Sequence, residues 1–135
     1  MVDLVTIDEA YAHLRIDADS SGSADDPWLN VMIPAISEAV ASWLKDPARL
    51  YHQATDSEGN ALYDSNLDPI PMLDSNGNYL VRDQVRAAVL IELSSQYRYR
   101  EGEGDNAVPS HEGHGYSLCR AATALLASIR KSTVA

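Results

Sequence analysis

The sequence predicts a mainly α protein, a small bundle of about four helices with an inserted β-hairpin arm. In four stretches the apolar residues recur at steps of three and four, as on one face of a helix. Residues 51–81 instead combine proline, glycine, Asn and Asp with short alternating runs. With 135 residues, 45% of them hydrophobic, we predict one domain. Its helical core covers residues 1–46 and 82–130, its arm residues 51–81 and a polar tail residues 131–135.

A capping box predicts the start of the first helix. Thr6 is placed to accept a hydrogen bond from the amide of Glu9, and the Glu9 side chain can return a bond to the amide of Thr6. The polar residues 17–23 are typical of a loop and predict the helix end near Ile16. The apolar face of this helix consists of Ala10, Tyr11 and Leu14.

The second helix is predicted to be long. Asp26 followed by Pro27 is typical of an N-cap and a first helical residue, and Asp46 with Pro47 indicates the end. Pro34 lies inside the pattern and predicts a kink or a later helix start. The apolar face contains Leu29, Met32, Ile33, Ile36, Val40, Trp43 and Leu44.

The arm is predicted to form two successive hairpins. Residues 56–62 are echoed by residues 74–80, and each repeat has a glycine in its turn, where a positive φ is favoured. The arm holds no Lys or Arg, so we expect it to protrude as a negatively charged element. Its acids are Asp56, Glu58, Asp64, Asp68 and Asp74.

Two further helices complete the predicted bundle. One begins near Asp83, and Leu90 and Ile91 widen its apolar face, so it should contact more than one neighbour. Ser117 is a candidate N-cap for the last helix. The tail, residues 131–135, lacks packing residues, and we expect it to become ordered only on docking.

Charge and composition exclude several functions. The formal net charge of −10 repels phosphate, so sequence-specific DNA binding is not expected. Cys119 is the single cysteine and cannot form an internal disulfide, and we expect it to be a small buried hydrophobic residue. No apolar run approaches the roughly 18 residues of a membrane span. We therefore expect a soluble protein made in the cytoplasm.

Metal sites are predicted only weakly. Alternate oxygen ligands at Asp56, Glu58 and Asn60, or at Asp74, Asn76 and Asn78, resemble the start of a calcium loop. An EF-hand places its glycine sixth, whereas here it is fourth, so hairpin turns are favoured. His111 and His114 lie in a glycine-rich segment that does not fix their spacing. We expect no metal, no cofactor and, since no catalytic motif occurs, no enzyme activity.

The positive charges are concentrated towards the end of the chain. Seven of the ten basic residues follow residue 81, while the arm is purely acidic. These bases either pair within the chain or meet the acidic face of a second copy, head to tail. The predicted subunit or partner interface contains Arg82, Arg86, Tyr97, Arg98, Arg100, Arg130 and Lys131.

Three motifs, in this order, resemble one protein family. They are Val-Thr-Ile-Asp-Glu-Ala-Tyr-Ala-His-Leu-Arg-Ile-Asp at residues 5–17, Tyr-Arg-Tyr-Arg-Glu at residues 97–101 and Leu-Leu-Ala-Ser-Ile-Arg at residues 125–130. The chain is similar to the head-tail connector, or adaptor, proteins of lambda-like tailed bacteriophages. The resemblance covers roughly residues 1–46 and 82–130, and the arm has no counterpart in it.

The resemblance implies a structural virion protein. It implies a mainly helical subunit in a homo-oligomeric ring, usually twelvefold, located in the phage neck beneath the portal protein and above a stopper or tail-completion protein. DNA would pass through the ring during genome ejection without sequence-specific binding, and an acidic lining would repel it. We expect the arm to face this channel or the next ring.

Three alternatives stay open. An acidic DNA mimic would inhibit a nucleic-acid-binding protein, and a calcium-stabilised adhesion or tail module would melt at a calcium-dependent temperature. Within the phage neck, a stopper or tail-terminator subunit would share the same size and acidity.

Overall fold

The computed structural model describes residues 3–98 and 118–132, and these residues are mainly helical. The prediction of a mainly α chain with four helices is confirmed. The helices are α1 (Ile7–Leu14), α2 (Asp26–Leu44), α3 (Asp83–Arg98) and α4 (Arg120–Leu126), with short 3₁₀ turns at Pro47–Leu50 and Ala127–Ile129. The described residues contain isolated β-bridges but no strand, so the predicted hairpin arm is not confirmed.

The start of α1 confirms the predicted capping box. Thr6 Oγ1 accepts a hydrogen bond from the Glu9 amide at 3.1 Å, and Glu9 Oε1 accepts one from the Thr6 amide at 3.4 Å. The helix ends at Leu14, two residues before the predicted end, because Arg15 adopts the left-handed conformation with φ 57°.

The start of α2 differs by one residue from the prediction. Asp25 is the N-cap, and Asp26 is already helical. The Asp26 carboxylate accepts hydrogen bonds from the Tyr11 hydroxyl and the Ser23 amide, so its side chain ties α2 to α1 instead of capping. The helix runs through Pro34 without interruption, and a later start is therefore wrong.

The core lies between α2, α3 and α4, and the N-terminal segment and α1 cover one side. Helix α3 contacts each of the other three α-helices, as its wide apolar face predicts. Two polar side chains are buried among these apolar ones, Ser37 and Glu92. The predicted cap Ser117 lies outside the described residues. Cys119 is the N-cap of α4 and is half-buried, not fully buried.

Tyr11 gives the contact between α1 and α2 a pH dependence. Its hydrogen bond to the Asp26 carboxylate raises the pKa of Tyr11 to about 12. A raised pKa in the folded state means that the stabilisation is complete below pH 10 and is lost as the pH rises through 12. We expect the free energy of unfolding to fall between pH 10 and pH 12, and Tyr11→Phe to remove that part of the fall. Denaturant unfolding of both proteins across this range measures it, and identical pH profiles would contradict it.

Candidate interaction surface

The arm, residues 51–81, is organised by two stacked rings of backbone hydrogen bonds. At its base Tyr51 is bridged to Val81. In the first ring, the amides of His52, Leu80 and Met72 each donate to the carbonyl of the next, at 2.9, 2.7 and 2.8 Å. The second ring joins Ala54, Ile70 and Leu62 in the same way, at 2.8, 3.2 and 2.9 Å. The arm is therefore closed by two cycles of three backbone hydrogen bonds each.

Three equivalent turns connect the hydrogen-bonded segments of the arm, whereas the sequence predicted two turns. They occupy residues 56–60, 64–68 and 74–78, and each begins with Asp-Ser. Asp64 Oδ1 accepts hydrogen bonds from the amides of Asn66 and Asp68, at 2.8 and 3.0 Å. Asp56 and Asp74 make the same pair of bonds in their turns. The aspartates thus shape the turns, which favours the hairpin-turn interpretation over the calcium interpretation.

The turn at residues 64–68 differs from the other two in one residue. Gly59 and Gly77 occupy the positive-φ position of their turns, at 87° and 82°, whereas this turn has Leu67 there, at φ 64°. A left-handed leucine costs about 1–2 kcal/mol. The Leu67 side chain is also 80% exposed, so packing inside the described chain does not repay this cost. A strained, exposed apolar residue is a candidate contact residue.

The exposed large apolar side chains of the described residues are concentrated on the arm. Five of the six belong to it: Leu62, Tyr63, Leu67, Leu73 and Tyr79. The sixth is Val31 on α2. Such concentration on one segment is typical of an interaction surface.

The predicted acidic surface is divided between the two ends of the arm. Asp56, Glu58, Asp64 and Asp68 lie in the two turns beyond the second ring, which we call the arm tip (residues 56–60 and 64–68). All four are exposed, and none forms an ion pair in the described parts of the chain. Asp74 lies in the turn at the base, where it lines a groove of about 790 Å³ against the N-terminal segment and α2. Backbone hydrogen bonds, above all from Asn60, lower the pKa of Asp56.

Most of the predicted basic interface residues have partners within the chain. Arg86 forms a salt bridge of 2.8 Å with Glu9 and a weaker one with Asp83, and the Glu9 bond raises the pKa of Arg86. Arg82 Nε donates to the Tyr51 carbonyl at 3.1 Å, which fixes the base of the arm. These two arginines therefore hold elements of one subunit together.

Tyr97 and Arg98 close α3, and Arg100 lies outside the described residues. The Tyr97 hydroxyl donates to Asp25 at 3.0 Å, and its ring packs edge-on against Trp28. Tyr97 thus joins α3 to the start of α2. His111 and His114 also lie outside the described residues.

Arg130 and Lys131 form part of a basic surface at the end of α2. The guanidinium of Arg130 lies 4.2 Å from the centre of the Trp43 ring and donates to the Trp43 carbonyl at 2.9 Å. The Lys131 amide donates to the Leu44 carbonyl at 3.1 Å. The first residue of the tail is therefore hydrogen-bonded to α2. The expectation that the tail becomes ordered only on docking is wrong for Lys131. Lys45, the C-cap of α2, is the residue after Leu44 and belongs to the same surface.

Arg49 completes this surface, which we call the basic end (Lys45, Arg49, Arg130 and Lys131). Its Nη1 donates to the Ile129 carbonyl at 3.1 Å, and it pairs with Asp46 at 3.5 Å. The sequence did not predict Lys45 or Arg49 as interface residues, because they are separated from Arg130 by about 80 residues and only the fold brings them together. The carbonyl-rich end of α2 adds stabilisation for positive charge here.

No group of three or more His, Cys, Asp or Glu side chains in the described residues could hold a metal ion. No helix within residues 3–98 or 118–132 is long and apolar enough to cross a membrane. Comparisons with models of known families, with curated proteins and with solved structures gave no match.

A substitution at residue 67 tests whether the left-handed leucine is strained. Leu67→Gly removes the left-handed strain but makes the unfolded chain more flexible, so we expect a net gain of about 0.5–1 kcal/mol in the free energy of unfolding. Denaturant unfolding of the purified chain measures this. Leu62→Gly is the matched control, since it also removes an exposed leucine but at a position without positive φ, and it should destabilise. Destabilisation by Leu67→Gly would show that the leucine is not strained.

Proposed function

We propose that this chain is a structural head-tail connector subunit of a tailed bacteriophage. Copies of it form a ring beneath the portal protein, line the channel through which DNA passes, and provide the docking platform for a stopper or tail-completion protein. The chain has no catalytic role, metal or cofactor in this proposal. The finer fold description, one connector domain with an inserted β-hairpin arm, belongs to the same proposal.

The observation that carries the proposal is the arm. It is closed by its own hydrogen bonds, yet it bears five exposed apolar side chains and a tip of four acids without ion pairs in the described chain. An element with this much exposed apolar surface is typical of a protein that functions in an assembly. The order of the helices, with the capping box of α1 and the motif at residues 125–130, supports a connector among such assemblies.

The acidity of the chain is consistent with a DNA channel. Exposed carboxylates repel phosphate over about 8 Å at physiological salt, so they keep passing DNA from adhering to the wall. Basic side chains, which would bind phosphate, are absent from the arm. In this proposal the arm lies towards the channel or contacts a neighbouring subunit of the neck.

Binding to the portal protein tests the proposal in solution. Portal rings of the phage or prophage that encodes this chain are purified, mixed with the chain and analysed by native mass spectrometry. We expect the chain to bind in a number that matches the symmetry of the ring. A portal that stays unoccupied at saturating chain concentration would contradict the connector function.

The alternative function, an acidic DNA mimic, makes a different prediction. A mimic competes with DNA for a nucleic-acid-binding enzyme, and portal rings would not bind it. A competition assay with DNA-binding enzymes encoded by the host separates the two functions.

A further inference from the structure

Two surfaces of this chain are complementary in charge. The arm tip carries Asp56, Glu58, Asp64 and Asp68, and all four are exposed. The basic end carries four positive side chains, with Asp46 as the one acid that pairs with them in the described chain. Surfaces of opposite charge select partners and orient them.

The two surfaces form no ion pair with each other in the described residues. Arg49 lies two residues before the base of the arm, and the two hydrogen-bonded rings separate that base from the tip. The rings close the arm on itself, and the described chain contains no ion pair between the tip and the basic end. Each surface therefore keeps its charge available to a second molecule.

Apolar surface accompanies the charges on both sides. Leu67 and Tyr63, 80% and 55% exposed, lie in or beside the arm tip. At the basic end, Trp43 is only partly buried, and Arg130 covers one side of its ring. An apolar contact surrounded by charge pairs is the usual composition of a specific interface.

We infer that the arm tip of one copy docks on the basic end of the next copy, head to tail. The occupant of both surfaces is this chain itself, and the repeated contact closes the ring. Within that contact, Leu67 packs near Trp43 while Glu58 and Asp68 pair with Lys45 and Lys131. This inference rests on the proposed function only in assuming that the chain assembles into a ring.

Cross-linking between isotopically distinct copies tests the contact directly. Equal amounts of ¹⁴N- and ¹⁵N-labelled full-length chain are mixed at millimolar concentration and treated with a carbodiimide, which joins a carboxylate to a lysine amine in contact with it. We expect mixed-isotope links between the tip peptide and the peptides of Lys45 and Lys131. Mixed links that join other regions, or a chain that gives no mixed links, would overturn the inference.

Charge reversal provides an independent test that includes its own rescue. The tip variant is Glu58→Lys with Asp68→Lys, whose side chains do not shape the turns, and the end variant is Lys45→Glu with Lys131→Glu. Each variant alone places like charges at the two proposed pairs and cancels the net charge of one surface, so its self-association should weaken at least about tenfold. A mixture of the two variants restores opposite charges at the two proposed pairs and should regain the association of the unchanged chain.

The control and the outcomes separate this inference from the proposed function. Asp17→Lys with Glu38→Lys reverses two exposed acids of the body and should leave association unchanged. Variants that associate as the unchanged chain does, or a mixture that does not recover, would overturn the head-to-tail contact. Portal binding by the unchanged chain would then still support the connector function, whereas its absence would contradict that function whatever the contact.

Discussion

Replacement of Glu92 by alanine is expected to lower the free energy of unfolding by about 3 kcal/mol, since hydrogen bonds to a charged group contribute about 1.5–3 kcal/mol and a cavity adds to the loss. Glu92 is 1% exposed and lies on α3 against the start of α4. Its Oε2 accepts a hydrogen bond from the Cys119 amide at 2.7 Å, and Oε1 accepts one from Gln96 at 3.1 Å. The carboxylate thus supplies from α3 the cap that the Cys119 side chain does not provide.

Two variants make this prediction specific. Glu92→Gln keeps an oxygen that can accept from the Cys119 amide, so it should lose less than half as much stability as Glu92→Ala. Glu38→Ala removes an exposed glutamate from α2 and should change stability by less than about 0.5 kcal/mol. Chemical denaturation of the three variants decides the matter. If Glu92→Ala cost no more than Glu38→Ala, the carboxylate would not hold α4 in place.

Replacement of Ser37 by alanine is the second large effect that we expect, a loss of about 2 kcal/mol. Ser37 is fully buried on α2, and its hydroxyl donates to the Ile33 carbonyl at 2.7 Å. The same oxygen accepts a hydrogen bond from the Leu4 amide at 3.1 Å. Alanine leaves the Leu4 amide without this acceptor in a buried position, so the N-terminal segment should separate from α2 more easily.

Hydrogen exchange distinguishes this local effect from a general one. In Ser37→Ala the Leu4 amide should lose protection before the amides of α3 do. Ser42→Ala, an exposed serine on the same helix, is the control and should change stability by less than about 0.5 kcal/mol. Equal losses in the two variants would contradict the role of the Ser37 hydroxyl.

The helices could be predicted from the sequence because their signals are local. Thr6 and Glu9 stand three residues apart, as a capping box requires, and Asp83 begins α3 where the apolar periodicity begins. The start of α2 was displaced by one residue, since the Asp26 side chain bonds to Tyr11 in the folded chain, and this contact is not encoded in the local pattern.

The third turn of the arm had a signal that the two-hairpin prediction did not use. Asp64 and Ser65 repeat the Asp-Ser start of the two glycine-containing turns, but Leu67 replaces the glycine that marks them. The prediction relied on glycine for positive φ and therefore left this turn out. Backbone hydrogen bonds from two amides to Asp64 explain how the leucine is held there.

The candidate surfaces were predicted only in part. The acids of the arm follow from composition, because the segment contains five acids and no Lys or Arg. Of the basic end, Arg130 and Lys131 were predicted as interface residues, whereas Lys45 and Arg49 were not, since they join the surface only when residues 130 and 131 return to the end of α2. Arg86 was predicted as an interface residue and instead pairs with Glu9 inside the subunit. The sequence does not show which acid Arg86 meets, because this depends on how α1 packs against α3.

A reconstruction of the virion neck by electron cryomicroscopy tests the central claim most directly. The sample is the intact virion of the phage that the proposed function expects to encode this chain, with symmetry determined from the data. We predict a closed ring of this chain between the portal and the next component of the neck, with each arm tip on the basic end of its neighbour. A neck in which another protein fills that position would contradict the connector function, and so would a virion that lacks this chain.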